Sequence, residues 1–242
     1  MQKQAYLEMY QYEDNHWWFV ARRHILEKLL NSFFKQTNAN ILELGCGTGG
    51  NFQLLAQYGN LYAMEFDNDA CDMAKTRGIG TVIQGVLPEP IAFKENFDLI
   101  CMLDVLEHID DELATLQQVH LKLNEKGILL ITVPAYMFLW SSHDEAVNHK
   151  RRYLKSQLVK LLENAGFKIN YASYFNSFLF PVIATVRFLN KLLAKKEGTD
   201  VSMPSAIVNN CLLNIFAFER YLMPKFSLAF GVSIVVVAEK SN

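Results

Sequence analysis

The clearest chemical signal in the sequence is a set of three glycines, Gly45, Gly47 and Gly49, that directly follows an apolar run. Residues 40–44 (Asn-Ile-Leu-Glu-Leu) predict a strand, and the glycines predict a sharp turn after it. A residue without a Cβ tolerates positive φ and lets the backbone approach a ligand closely. Asn51 and the apolar residues after it predict a helix that begins at this turn, with its first N–H groups pointing at the ligand.

Two ligand-binding patterns fit this spacing. Gly45, Gly47 and Gly50 match G-x-G-x-x-G, the fingerprint of dinucleotide-binding proteins. Glu43, followed by glycines at 45, 47 and 49, matches the acidic-x-G-x-G-x-G pattern of enzymes that use S-adenosylmethionine. Glu43 favours the second pattern, because a carboxylate stabilises a ligand that carries an ammonium and a sulfonium but gains nothing beside a pyrophosphate.

Acidic residues also end the next strands along the chain. Glu65 closes the predicted strand 60–66 and lies twenty residues after Gly45, where a carboxylate can accept hydrogen bonds from both ribose hydroxyls of an adenosine. A solvated carboxylate at a strand end is the simpler alternative. Residues 97–103 predict a fully buried strand that leads into an acidic turn at 104–111.

The order and spacing of these motifs resemble a class I S-adenosylmethionine-dependent methyltransferase, of the methyltransferase type 11/12-like kind. The resemblance extends to residues 16–23, 133–136 and 143–153, and it covers roughly residues 16–175 and the final strand. It implies a doubly wound, Rossmann-like α/β sheet of seven strands in the order 3-2-1-4-5-7-6, with the last strand antiparallel. S-adenosylmethionine would bind at the carboxyl ends of the strands, and S-adenosylhomocysteine would be the product.

The resemblance also implies which residues contact the cofactor. They lie in the glycine loop, at strand ends and in the N-terminal aromatic segment: Glu43, Gly45, Cys46, Gly47, Gly49, Glu65, Phe66, Gly85, Val86, Leu87, Leu103, Asp104, Trp18 and Arg22. Many family members carry an acid after the third strand's glycine to bind the adenine amino group. Here Val86 and Leu87 offer only backbone N–H groups and an apolar face, so either Glu89 substitutes for that acid or the backbone alone binds adenine. Trp18 and Arg22 are predicted to belong to a lid, although packing on the sheet explains the aromatic residues equally well.

The remaining sequence alternates strand and helix signals, which favours a parallel, doubly wound sheet. Strands are predicted at 40–44, 60–66, 80–84, 97–103, 127–133, 168–174 and 232–238. Helices are predicted at 17–36, 50–57, 69–77, 110–122 and 156–164. We predict one domain over residues 1–242, divided into an N-terminal aromatic helical segment (1–36), a cofactor-binding core (37–175), a helical cap (176–228) and the final strand (229–242).

Three histidines are candidates for work on the methyl acceptor: His108, His143 and His149. Methyl transfer from a sulfonium is an in-line displacement that depends mainly on positioning and on excluding water. A general base is needed only if the acceptor is a hydroxyl that must lose its proton. Each histidine could instead make a structural hydrogen bond. The spacing of His143, Asp144 and His149 matches neither a helical pair nor a zinc signature, so we predict no metal.

Composition limits which classes of partner and which cellular compartment are expected. A net charge of −2 gives no general basic field, so we predict no nucleic-acid partner. The four cysteines (46, 71, 101 and 211) lack paired spacing and are expected to be reduced thiols, and residues 1–8 lack the apolar core of a signal peptide. We therefore predict a cytoplasmic protein, with its oligomeric state left open.

Residues 175–228 lie between the last two predicted strands and contain two apolar runs, each shorter than the roughly 20 residues of a membrane span. We predict two helices joined by a flexible, polar linker at 195–202. They would form a cap over the acceptor pocket, or a lipid-docking surface, or a dimer interface. In the second case, four basic residues would face anionic headgroups: Arg187, Lys191, Lys195 and Lys196. The acceptor is accordingly predicted to be a small or lipid-like molecule, and membrane contact would be peripheral.

Two other function classes stay open. A nicotinamide-dependent dehydrogenase shares the glycine loop, and Tyr221 and Lys225 have the spacing of a short-chain dehydrogenase pair. Pro224 lies inside that pair and disfavours the helix that would hold both side chains on one face. A non-catalytic module that binds S-adenosylmethionine and acts as a regulator is the second alternative.

Overall fold

The computed structural model describes residues 3–193 and 202–241. One seven-stranded sheet has the order β3-β2-β1-β4-β5-β7-β6. The strands are β1 Ala39–Leu44, β2 Gly59–Glu65, β3 Thr81–Gln84, β4 Phe97–Leu103, β5 Leu123–Pro134, β6 Phe167–Phe175 and β7 Ser233–Lys240. Strands β1 to β5 pair in parallel, whereas β7 is antiparallel to both of its neighbours. This confirms the predicted fold class and strand order.

Helices cover both faces of the sheet. In the described part of the chain the α-helices are α1 Lys3–Tyr12, α2 Trp17–Phe33, α3 Phe52–Leu55, α4 Asn68–Thr76, α5 Glu112–Lys122, α6 Ser142–Ala146, α7 Lys155–Asn164, α8 Phe180–Leu192 and α9 Ala206–Ala217. Short 3₁₀ turns lie at Leu106–His108, Met137–Leu139 and Phe218–Tyr221. None of the described helices is both long and apolar enough to cross a bilayer.

The central strand β4 shows why its sequence is apolar at nearly every position. Leu99, Cys101 and Leu103 point into one hydrophobic cluster, while Ile100 and Met102 point into the other. A parallel strand that is covered on both faces buries every side chain, so its sequence runs without polar alternation. The two clusters form the two halves of the core, one on each face of the sheet.

The two helical layers complete these clusters. On one face α2 contributes Ile25 and Leu29, and α9 contributes Phe216. On the other face α5 contributes Leu116 and α7 contributes Leu158. All five side chains are completely buried. The cap segment therefore takes part in the core through α9, next to the N-terminal helix α2.

The N-terminal segment differs from the prediction of one helix over 17–36. A separate helix, α1, precedes it, and α2 ends at Phe33 because the next residue is extended. His16 caps α2: its Nδ1 accepts a hydrogen bond from the Trp18 backbone N–H at 3.4 Å. The predicted start of this helix at residue 17 is confirmed, although histidine is not among the usual cap residues.

Two further predictions need correction or lie outside the description. The helix predicted over 50–57 is only the short α3, because the chain must turn into β2 at Gly59. The predicted flexible linker at 195–202 falls almost wholly outside the described residues. Lys195 and Lys196, predicted to face lipid headgroups, also lie outside them.

Candidate functional site

A cavity of about 960 Å³ opens at the carboxyl ends of the parallel strands, bordered by α1, α2 and α8. The predicted cofactor residues that line it are Trp18, Arg22, Glu43, Gly45, Cys46, Gly47, Glu65, Phe66, Gly85, Val86, Leu87, Leu103 and Asp104. The three predicted catalytic histidines, His108, His143 and His149, line the same cavity. The structure therefore brings together residues that are far apart in sequence. Tyr221 and Lys225, the dehydrogenase-like pair, are absent from its lining.

The glycine loop needs its glycines for two different reasons. Gly45 has φ +66°, and a Cβ there would lie 2.5 Å from Cγ2 of Val105, so protein packing excludes a side chain. Gly47 has φ +54°, but a Cβ there would meet only the Met9 methyl carbon, at 3.6 Å. The backbone at Gly47 is thus bare on the side of the cavity, as expected where a ligand must come close.

Gly49 is the predicted cofactor residue that does not line the cavity. Its φ is +85°, and a Cβ would lie 2.9 Å from side-chain atoms of both Phe52 and Arg77. The spacing of the glycines places it in the motif, but its absent side chain makes room for protein atoms. Its position indicates a role in the turn itself rather than in ligand contact.

Glu43, the penultimate residue of β1, has a hydrogen-bond partner on only one of its two carboxylate oxygens. The side chain is 1% exposed, and Asn51 Nδ2 donates to its Oε1 at 2.7 Å. Its Oε2 is buried and has no hydrogen-bond partner. Burial raises the pKa of Glu43 to about 8, although the hydrogen bond from Asn51 opposes the shift. A cationic group in the cavity would stabilise this carboxylate in its charged form.

Glu65 ends β2, and its carboxylate already has several donors. Its Oε2 accepts the backbone N–H of Gly47 at 2.8 Å. Its Oε1 accepts the backbone N–H of Asp67 at 3.0 Å and the Tyr6 hydroxyl at 3.3 Å. Burial, followed by the charge of Glu65, raises the pKa of the Tyr6 hydroxyl, which keeps it a donor. Sequence analysis had not singled out Tyr6 as a site residue.

A second unpredicted contact holds the N-terminal helix against the glycine loop. Glu13, which follows α1 and is 3% exposed, accepts hydrogen bonds from the Thr48 hydroxyl and from Arg77 Nη2, both at 2.5 Å. Arg23 Nη2 donates to the Glu13 backbone oxygen at 2.8 Å. Gly50 lacks a Cβ where one would lie 2.2 Å from the Glu13 carboxylate. These partners are distant in sequence, so no local pattern announces the contact.

Arg22 and Asp104 form an ion pair inside the cavity. Asp104 follows β4 with φ +60°, an uncommon conformation for a residue with a side chain, and Thr132 Oγ1 donates to its Oδ1 at 3.1 Å. Arg22 is 7% exposed, and its Nε has no hydrogen-bond partner. The guanidinium of Arg22, predicted to belong to a lid, thus binds a carboxylate of the protein itself.

Trp18 lines the cavity but also packs in the core. Its ring lies 5.2 Å from the ring of Phe216 and 6.5 Å from that of Phe175, measured between centroids. Trp17 packs edge-on against Phe216 at 6.1 Å. Much of the N-terminal aromatic cluster therefore joins α2 to α9 and β6, as the packing interpretation of the sequence predicts.

The three histidines, which all line the cavity, lie close to one another. The ring of His149 lies 4.8 Å from that of His108 and 6.2 Å from that of His143. His149 Nδ1 is 2.8 Å from Asp144 Oδ1, and Arg152 donates to both oxygens of Asp144. Burial alone would raise the pKa of Asp144, but the hydrogen bonds from His149 and Arg152 outweigh it and hold that pKa low. The orientation of His149 is thus fixed by a buried ion pair.

Comparison with known proteins identifies the family. A family model described as a methyltransferase domain matches residues 17–172. A probable S-adenosylmethionine-dependent methyltransferase of Mycolicibacterium smegmatis is 25% identical over 163 residues, which is 65% of this chain and 61% of the relative. A ubiquinone biosynthesis O-methyltransferase of Haemophilus ducreyi is 26% identical over 138 residues, covering 48% of this chain and 58% of the relative. The chain therefore spans about 60% of the length of these curated relatives.

Solved structures agree in fold. A chain of the complex between the Haloferax volcanii Trm112 methyltransferase activator and the putative methyltransferase superposes with a TM-score of 0.63 at 14% identity, covering 99% of this chain and 95% of that one. A methyltransferase of Bacillus halodurans gives a TM-score of 0.62 at 20% identity, covering 90% of this chain and 99% of that one. The family model spans more than half of the chain and the sheet order matches, so the chain belongs to the methyltransferase-domain family.

Proposed function

We propose that this protein is a methyltransferase that uses S-adenosylmethionine and acts on a small or lipid-like acceptor. The observation that carries the proposal is the half-satisfied carboxylate of Glu43, buried beside the bare backbone of Gly47 in the main cavity. The negative charge of a pyrophosphate would repel that carboxylate, whereas a cationic ligand would stabilise it. When bound, S-adenosylmethionine supplies a methyl group activated by the positive charge on sulfur.

The lining residues fit such a ligand from end to end. Glu43 would hold the ammonium of the methionine portion, and Glu65 would hold the ribose hydroxyls. Because three donors already reach Glu65, the ribose would share that carboxylate or displace the Tyr6 hydroxyl. Phe66 and Val86, both strongly exposed on the cavity side, offer apolar faces for adenine. Trp18, Arg22 and Asp104 would enclose the methionine end.

The histidine group would face the acceptor. If the acceptor is a hydroxyl, one of His108, His143 and His149 would take its proton. The main contribution of the protein would be to hold the acceptor in line and to keep water out, because the donor needs no further activation. His149 is the best oriented of the three, since Asp144 and Arg152 fix its ring.

The cap supports an apolar acceptor. Helix α8 lines the cavity with Val182, Ile183 and Val186, yet none of its residues is buried. Other apolar side chains of α8 point to solvent: Phe188 is 69% exposed and Leu192 is 72% exposed. A helix that borders the acceptor cavity on one side and presents apolar side chains on the other suits an acceptor delivered from a lipid surface.

Calorimetry with S-adenosylhomocysteine and with NAD tests the ligand class. S-adenosylhomocysteine is expected to bind and to raise the melting temperature, and NAD is expected to do neither. Binding of NAD alone would overturn the proposal in favour of a dehydrogenase. Turnover is then tested with methyl-labelled S-adenosylmethionine and a lipid extract, followed by mass spectrometry of labelled products. Tight binding without transfer to any fraction would favour a non-catalytic regulatory module.

A further inference from the structure

A cluster of metal-ligating side chains lies in the wall of the cavity, on the side of the histidines. Glu107, His108 and His149 each offer one ligand atom, and these atoms lie within 4.8 Å of one another. All three residues line the cavity. Two ligands come from the turn after β4 and the third from the segment after α6, so the cluster depends on the tertiary fold.

Glu107 is the unusual member of the cluster. Its side chain is 0% exposed, and neither carboxylate oxygen has a hydrogen-bond partner. The ring nitrogen Nε2 of His149 is 3.6 Å from Oε1 of Glu107, which is beyond a good hydrogen bond. A buried carboxylate without a partner is strongly unfavourable unless it is neutralised or binds a cation. The described protein groups thus leave both carboxylate oxygens of Glu107 without a hydrogen-bond partner.

Both histidines are held in the tautomer that suits metal binding. His149 Nδ1 lies 2.8 Å from Asp144 Oδ1, an acceptor, so Nδ1 is the nitrogen that donates; in the neutral ring Nε2, 3.6 Å from Glu107 Oε1, then carries the lone pair. His108 Nδ1 lies 3.3 Å from the carbonyl oxygen of Asn148, which can only accept, so its Nε2 is also unprotonated. A carboxylate behind a ligating imidazole is the usual outer partner of a metal-bound histidine.

The geometry points to a binding site for a divalent first-row transition ion, with Glu107, His108 and His149 as protein ligands and the remaining coordination positions open to the cavity. Two imidazoles and one carboxylate form a facial set that leaves positions for exogenous ligands. Asp144, held by Arg152, acts as the positioning residue for His149.

The role of the ion rests on the proposed function, although the site itself does not. An acceptor hydroxyl oxygen bound at an open position would have its pKa lowered by the ion. Its proton would pass to water or to His143, the predicted base that is not a ligand. The oxygen–methyl bond then forms as the sulfur–methyl bond breaks, and no oxidant or reductant is needed. The proposal favours an oxygen atom as the methylated position.

Metal binding is measured first, without any methyl donor. Untagged protein is treated with a chelator, dialysed and titrated with Co²⁺ and Zn²⁺ by absorption spectroscopy and calorimetry. Wild type is expected to bind one Co²⁺ or one Zn²⁺ ion per chain. Bound Co²⁺ should give an absorption band in the visible range. Glu107→Gln and His149→Gln should lose most of this affinity, and Asp144→Asn should weaken it about 10–100-fold. The matched control His24→Gln, on α2, should bind like wild type.

The outcomes separate the site from the function. Wild-type affinity no higher than that of Glu107→Gln and His149→Gln overturns the metal site, as does a Co²⁺ spectrum that these variants leave unchanged. Circular dichroism shows which variants fold. If Glu107→Gln does not fold, the metal affinity of His149→Gln tests the site. Ion binding together with failure to bind S-adenosylhomocysteine supports the site and refutes the proposed function. Binding of S-adenosylhomocysteine without ion binding supports the proposed function and refutes the metal site.

Discussion

A single buried carboxyl group, Glu43, couples stability to pH. Its pKa is raised from 4.5 to about 8, chiefly by burial, so between these values the folded chain keeps a proton that the unfolded chain has released. The stability that this group contributes is fully present below pH 4.5 and is lost as the pH rises through 8. We expect Glu43→Gln to flatten the pH dependence of the unfolding free energy over this window. Urea unfolding of both proteins at several pH values measures it.

The same group should report on the ligand. A cationic ligand needs the ionised carboxylate, so binding of S-adenosylmethionine near pH 7 is expected to release a proton from Glu43. Calorimetry in two buffers of different ionisation enthalpy measures that release. Glu43→Gln should bind more weakly and release less. Equal proton release from both proteins would remove Glu43 from the ammonium site.

Two glycines of the loop, Gly45 and Gly47, should respond differently to substitution by alanine. At Gly47 the added Cβ meets only Met9, so Gly47→Ala should cost about 1–2 kcal/mol of stability for its left-handed backbone and abolish most ligand affinity. At Gly45 the Cβ would lie 2.5 Å from Val105, so Gly45→Ala should lose more stability. Melting temperature and S-adenosylhomocysteine affinity, measured on both, decide the comparison. A Gly47→Ala variant with unchanged affinity would show that no ligand approaches there.

At the scale of elements, the order of helix α1 depends on contacts to the glycine loop. Glu13→Ala removes the acceptor of the Thr48 and Arg77 hydrogen bonds, so we expect faster amide exchange over residues 3–15 and weaker S-adenosylhomocysteine binding. The control Glu27→Ala, on α2, removes a carboxylate of the same type and should change neither. Binding of S-adenosylhomocysteine should slow exchange in the same residues. Exchange that is equal in both variants would show that the loop contact does not order α1.

The elements differ in how far their sequence predicted them. The strands were found because apolar runs such as 97–103 reflect burial on both sheet faces, which is a local property of the chain. The strand order came from the family resemblance. The short helix α1 has mixed polar and aromatic residues, and its attachment depends on Glu13 meeting Thr48, a pair that no periodicity reveals. For the same reason the sequence did not show that Glu107 lies beside His149.

Across the whole molecule, a weak net charge coexists with a concentrated apolar surface. The net charge is −2, yet α8 and α9 expose large aliphatic and aromatic side chains in one part of the chain. The most exposed are Phe188 and Leu192 on α8, Leu193 directly after it, and Ile207 on α9. Arg187 and Lys191 lie on the same helix, α8, and Arg187 Nη1 donates to the Leu139 backbone oxygen at 2.7 Å. The combination is typical of a helix that lies in the membrane interface.

Vesicle sedimentation tests this surface. Wild type is expected to bind vesicles that contain phosphatidylserine and to bind neutral vesicles less, because anionic headgroups attract the basic side chain of Lys191 on α8. The double variant Phe188→Ser/Leu192→Ser should bind several-fold less, since it removes two apolar side chains that are 69% and 72% exposed. Leu121→Ser, on α5, is the matched control because Leu121 is 66% exposed in a different helix. Equal sedimentation of the double variant and wild type would refute membrane docking. Self-association of wild type, lost in the double variant, would assign the surface to a dimer.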